Sequence, residues 1–209
     1  MRPLVILLHG LARGHGSMAN LGTYLRAHGF DTHSRSYPSR QHSIRYLASE
    51  VADWIVEHAA GRPVCAVTHS MGGVIVRHIH DPRIAWERIV MLAPPNRGSR
   101  LAAGLVRNPV FRWYYGPAGS ELADGSTWPD PPAPFGVIAG TLAAWNNPST
   151  WTAARLFPPG VRNDGTVAVE ETQLPAMTAF ATVDATHTWI MNDARARQLV
   201  VRFLRSGSF

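Results

Sequence analysis

The sequence has no lysine and a single cysteine, and each shortage narrows what the chain can be. With one thiol no disulfide framework can form, so the fold has to hold by its core. A chain of 209 residues can do so, because at that size roughly 70% of the unfolded surface is buried. Cys65 sits in an apolar run and reads as a buried, inert thiol, which fits a reducing compartment. Long hydrophobic runs are lacking too. The N-terminal apolar run, Leu4–Leu8, is too short for a signal-peptide core or a membrane span, so the chain reads as soluble and, by default, cytoplasmic. All 20 cationic residues are arginine, giving a formal charge of +6. They are scattered singly and form no nucleic-acid-binding motif, so the excess reads as a solvated surface; weak attraction to anionic lipid surfaces stays open as a secondary reading. The sequence also lacks a metal-ligand motif and a dinucleotide glycine fingerprint, and so calls for no cofactor and no metal.

What is present is an alternation of short apolar runs with amphipathic stretches. Leu4–Leu8, closed by His9-Gly10, reads as a strand buried on both faces. Ser17 is expected to cap a helix carrying Met18, Leu21 and Leu25, and a short strand is expected within residues 30–37. Ile44, Leu47, Val51 and Ile55 recur at helical spacing until Gly61 and Pro63. Strands at 64–68, 88–92, 135–139 and 178–183, a helix over 72–79 and a closing helix with Ile190, Ala194, Leu199 and Phe203 complete the pattern. It implies an α/β fold with a mostly parallel, doubly wound sheet of about six strands and helices on both faces. Residues 107–134, dense in Pro, Gly and aromatics, interrupt it and are expected to be an irregular, cap-like insertion. Nothing divides the chain, so residues 1–209 read as one domain.

The stretch VCAVTHSMGGVIV, residues 64–76, places one serine where a buried strand turns into a helix. In open parallel sheets that junction lies at the carboxyl edge, where ligands bind, and the helix N-terminus favours negative charge nearby. A glycine directly after Met71 leaves room for strand and helix to converge at a sharp turn.

These residues resemble the α/β-hydrolase family, in particular its small bacterial serine esterases and lipases, including those similar to GPI inositol-deacylases and triacylglycerol lipases. The motifs that carry the resemblance are LLHG after the first strand, THSMGG at the turn, LAPPNRGS after the next strand, NDGTV late in the chain and HTWIM after the last strand. They span nearly the whole chain in the family's order. Thr68 stands where the family pattern has glycine, and the chain begins at what would be the family's third strand, so the resemblance implies a minimal α/β-hydrolase fold without the leading hairpin.

In this fold the order along the chain is serine, acid, histidine. Ser70 is the nucleophile candidate, with a helix N-cap as its plainer role. His78 and His80 fall on the expected helix, two apart, which sends them to different sides; that leaves His187, after the last strand, as the base. The resemblance places the acid at Asp164 in RNDGTV, where an Asx turn is the plainer use of an aspartate before glycine. Glu170, Glu171, Asp184 and Asp130 are the other acids weighed, and Asp184 is too close to His187 in sequence to reach its ring comfortably. The implied oxyanion donors are the backbone NH groups of Leu11 and Met71. His9 and His69 are expected to be structural histidines, His9 bracing the loop after LLHG.

Trp113, Tyr114, Tyr115, Trp128, Trp145 and Trp151 fall in the two irregular stretches beside the carboxyl edge. They either line an apolar acyl pocket or lie in the core under long loops. Trp113, Tyr114, Trp145 and Trp151 are taken as the substrate-binding candidates. The reading is a cofactor-independent carboxylic ester hydrolase, an esterase or lipase, acting on a small-molecule or lipid ester through an acyl-enzyme on Ser70. An acyltransferase or thioesterase with the same three residues, or a non-catalytic ligand-binding protein of this fold, are its alternatives.

Overall fold

Runs of apolar residues with no polar alternation need cover on both faces, and they receive it in the computed structural model, which describes residues 2–144 and 148–209. Six strands, β1 (Leu4–Leu8), β2 (Asp31–Ser34), β3 (Val64–His69), β4 (Trp86–Leu92), β5 (Phe135–Gly140) and β6 (Ala179–Val183), form one sheet in the order β2-β1-β3-β4-β5-β6. All five pairings are parallel. Side chains of β1 alternate between two cores. Leu4, Ile6 and Leu8 pack with helices α2 (Ile44–Ala59) and α3 (Met71–Arg77), whereas Val5 and Leu7 pack with α1 (Ala19–Ala27) and α7 (Ala194–Ser206). The sheet is thus doubly wound, as its sequence pattern predicts.

Helix starts follow local chemistry. Ser43 Oγ accepts from Tyr46 N at the head of α2, and Asp193 Oδ1 accepts from Ala196 N at the head of α7. Ser17 does not cap α1. It lies in a 3-10 turn, His15–Met18, and its hydroxyl donates to Gly14 O at 2.7 Å, because that turn already leads the chain into α1. Helix α3 ends at Arg77, so His78 is its C-cap and His80 lies beyond it, not on a shared helix. Cys65 is buried as expected, and burial pushes its thiol up to about 11. Among the described residues no helix is long and apolar enough to cross a membrane.

The insertion is more regular than its composition indicates. After α4 (Arg100–Leu105), residues Pro109–Glu121 form α5, started by Asn108 Oδ1 accepting from the Val110 and Phe111 amides with proline at the first turn. Phe111 and Tyr115 pack one turn apart with tilted rings, at 4.9 Å between ring centroids. Gly116, at φ 64°, bends the helix where a Cβ would lie 1.7 Å from Arg40 O. Glu121 Oε2 accepts from Ile44 N at 2.7 Å, tying the far end of α5 to α2. Between β5 and β6 a further helix, α6 (Pro148–Leu156), occupies part of the long connection.

The strand order places the site. From β1 the chain crosses to β2 on one side and then returns to β3 on the other, so the carboxyl ends of β1 and β3 border the crevice where crossovers reverse. Ser70 follows β3 directly, and the loop from His9 to Gly14 follows β1.

Candidate active site

Ser70 has φ 52° and ψ −124°, a conformation that costs a non-glycine residue of order 1–3 kcal/mol. Hydrogen bonds on both sides hold it there. Its amide donates to Leu92 O at 2.9 Å, and its carbonyl accepts from Gly73 N at 2.9 Å. The next turn crowds against β1: a Cβ on Gly72 would lie 2.8 Å from Leu8 O and 2.9 Å from His9 O, which explains the glycine. Thr68, at the position of the family's glycine, is fully buried and its hydroxyl has no hydrogen-bond partner.

Two residues distant in sequence converge on this serine. His187, in the turn after β6, has Nε2 3.0 Å from Ser70 Oγ and Nδ1 2.8 Å from Asp164 Oδ2. A carboxylate only accepts, so the Asp164 contact puts the imidazole proton on Nδ1 and leaves the Nε2 lone pair facing the hydroxyl. Asp164 also makes the Asx turn: its Oδ1 accepts from Thr166 N and Val167 N, so one oxygen closes the turn while the other meets His187. All three side chains are buried. The other acids are engaged elsewhere, Glu171 with the amides of Ala168 and Arg100, Asp184 with the Thr141 hydroxyl, and Glu170 with Arg100.

The backbone around His187 is fixed at both ends. Its amide donates to Asp164 O at 3.0 Å, and its carbonyl accepts from His69 Nε2 at 2.9 Å. His69 is therefore structural, as its sequence reading held, but half of its ring is orphaned, since Nδ1 is buried without a partner. Burial, with His187 and Arg13 adding to it, holds His69 well below the ordinary histidine range and keeps it neutral.

The loop after β1 is braced by His9, as expected from the sequence, together with Tyr37 and Ser39, which the sequence pattern did not single out. His9 stacks on Tyr37 at 3.9 Å, donates from Nδ1 to Gly10 O and accepts from Tyr37 N, while the Tyr37 hydroxyl donates to His9 O. Burial lowers His9 to about 4. Ser39 Oγ accepts from Ala12 N at 3.0 Å, which consumes that amide and fixes the course of the loop just beyond Leu11. Met71 opens α3, where amides have no intrahelical partner.

A cavity of about 290 Å³ opens beside Ser70 and His187. Leu101 and Ala102 from α4, Phe111 and Tyr115 from α5, and Leu122 form an apolar wall; Arg13, from the loop after β1, also lines it. The expected aromatics divide. Tyr114 lines the cavity, with Arg40 over its ring at 4.4 Å, and Tyr115 lines it as well. Trp113 and Trp151 do not line it; they are 78% and 56% exposed, because their positions on α5 and α6 turn them to solvent. Trp128 packs instead on Arg77, and Trp145 lies outside the described residues.

Chemically, a hydroxyl facing an imidazole nitrogen that a carboxylate orients is an arrangement able to make a nucleophile of that hydroxyl. The comparisons with known proteins agree with the architecture. No curated protein sequence matches the chain. Among solved structures, the mature form of the Bacillus licheniformis lipase BlEst2 superposes with a TM-score of 0.83 at 20% identity, covering 97% of this chain and 92% of that one. Its propeptide form gives 0.80 at 20% identity, covering 96% of this chain but only 50% of its own length. A monoacylglycerol lipase from Paleococcus ferrophilus gives 0.58 at 20% identity, covering 98% and 96%. The sequence model of the alpha/beta hydrolase family matches residues 5–207, and the chain belongs to that family.

Proposed function

We propose that the protein is a serine carboxylic ester hydrolase, an esterase or lipase, with Ser70 as nucleophile, His187 as general base and Asp164 as the group that orients it. The observation that carries this reading is the unbroken chain from Asp164 through His187 to Ser70, at 2.8 and 3.0 Å. Ser70 Oγ attacks the ester carbonyl while its proton passes to His187 Nε2, forming the Oγ–C bond and a tetrahedral oxyanion. The backbone NH groups of Leu11 and Met71 receive that oxyanion, each of such donors being worth on the order of a hundredfold to a thousandfold in rate. His187 then gives its proton to the departing alcohol as the C–O bond breaks. Water, deprotonated by the same nitrogen, releases the acid and restores Ser70, so only ester and water are consumed. Two of the structural neighbours, a lipase and a monoacylglycerol lipase, lie in the same class.

The cavity supports a short or medium acyl chain, since its volume is at the low end for small-molecule sites. We read α4 and α5 as a partial cap over this site in a single domain. The test is a pre-steady-state assay with a p-nitrophenyl ester. An acyl-enzyme on Ser70 gives a burst of one p-nitrophenol per enzyme, and Ser70→Ala, still folded by circular dichroism, gives neither burst nor turnover. Turnover in that variant would overturn the assignment.

A further inference from the structure

Arg13 is the one charged side chain among those lining the cavity beside Ser70, and no carboxylate lines that cavity. It is half-buried, yet among the described residues it has no hydrogen bond and no ion pair. The protein treats its other buried arginine differently. Arg77, 2% exposed, donates to the carbonyls of Asn96, Pro129 and Trp128, so its guanidinium is used up in holding the fold. A guanidinium removed from water without a partner costs free energy, and one kept in a ligand cavity is available to an incoming anion. No anionic side chain in the cavity offsets its charge, which contributes to the low pKa values of both His9 and His69.

Position determines which part of a substrate meets it. The acyl wall is built from α4 and α5, whereas Arg13 stands on the loop after β1, two residues beyond the Leu11 amide. Building on the ester hydrolase reading above, we infer that Arg13 selects esters whose alcohol portion carries an oxyanion, a phosphate or a carboxylate, close to the scissile bond. The planar fork of a guanidinium suits either group bidentately, so an alcohol bearing one is preferred to a neutral alcohol of the same size.

The test compares 1-butyrylglycerol with 1-butyrylglycerol 3-phosphate, both below any aggregation threshold, and reads the ratio of their kcat/KM values. Wild type is expected to favour the phosphate ester by about tenfold to a hundredfold, the scale of one charge-assisted contact in a partly dry site. Arg13→Gln brings the ratio to about one, and Arg13→Lys, which keeps the charge without the fork, falls between. 3-O-Butyrylglycerate, whose alcohol portion carries the carboxylate, is expected to be favoured over 1-butyrylglycerol in the same way. A wild-type ratio near one, or an equal loss on both glycerol esters in Arg13→Gln, overturns the inference. So does competition by inorganic phosphate against the neutral ester with no preference for the phosphate ester, which would mean that a free ion fills the site. If neither ester is turned over while the protein is folded, the hydrolase reading itself fails.

Discussion

His69 donates its Nε2 proton to the carbonyl oxygen of His187 at 2.9 Å, so the residue preceding the candidate nucleophile holds the backbone of the candidate base. If that contact positions the imidazole, losing it misplaces the base by a fraction of an ångström, and such displacements cost up to a hundredfold. His69→Leu is expected to lower kcat about tenfold to a hundredfold on a short ester while KM changes much less. His69→Gln, whose amide can donate to the same carbonyl, is expected to recover part of the loss. Equal activities in the two folded variants would deny the positioning role.

The two buried neutral histidines make the fold acid-sensitive. His9 has a folded pKa of about 4 against an ordinary 6.5, because burial disfavours its charged form. As pH falls below 6.5 the unfolded chain takes up a proton that the folded chain refuses, so stability present above 6.5 is lost progressively down to about 4. For His9 alone the loss approaches about 3 kcal/mol, and His69 acts in the same direction. Urea unfolding at pH 7.0 and 4.5 is expected to show this drop, and His9→Asn to shrink it. A stability that rises on acidification across this range would contradict the assignment of neutral rings.

Thr68 carries a buried hydroxyl without a partner. Thr68→Val replaces it with a methyl group of similar shape and is expected to stabilise by about 1 kcal/mol, raising Tm by roughly 2–4 °C for a chain of this size. Thermal unfolding that shows a lower Tm would mean that the hydroxyl is satisfied in solution.

Much of this was legible in the sequence because it is local. Uninterrupted apolar runs marked the central strands, although β2, Asp31–Ser34, has none, and THSMGG located the strained serine whose following glycine packs on β1. NDGTV was legible twice over, since one carboxylate makes the Asx turn with Oδ1 and meets His187 with Oδ2. Helix α5 was missed because Gly116, Pro117 and Gly119 lie inside it, although Asn108-Pro109 and the Phe111–Tyr115 spacing were its start signal and stripe. Trp113 and Trp151 looked like pocket residues by composition, but only a helix phase decides which way a tryptophan points. The contacts of His69 with His187, Ser39 with Ala12 and Arg13 with the cavity join positions far apart in the chain, and no spacing in a single sequence encodes them.

The apolar wall implies a chain-length dependence. Each buried methylene contributes about 0.8 kcal/mol, so kcat/KM on p-nitrophenyl esters is expected to rise severalfold per methylene until the acyl group reaches the end of the cavity. Leu101→Phe narrows the wall and is expected to move that limit to shorter chains. A flat profile in both proteins would place the acyl chain elsewhere.

Asp164 and His187 are expected to act as one unit with Ser70. In a serine protease, replacing the orienting aspartate by asparagine costs about ten-thousandfold through the wrong tautomer. Asp164→Asn is expected to show a loss of similar order. His187→Ala is expected to be at least as damaging, and His187→Ala combined with Ser70→Ala to add almost nothing. Near-normal turnover in folded Asp164→Asn would pass the acid role to another carboxylate.

The most direct measurement is covalent labelling by a fluorophosphonate followed by mass spectrometry of the peptides. One adduct per chain is expected, on the Ser70 hydroxyl, formed slowly or not at all in His187→Ala. An adduct on any other residue, or a folded protein that takes up no label while turning over esters, would contradict this expectation.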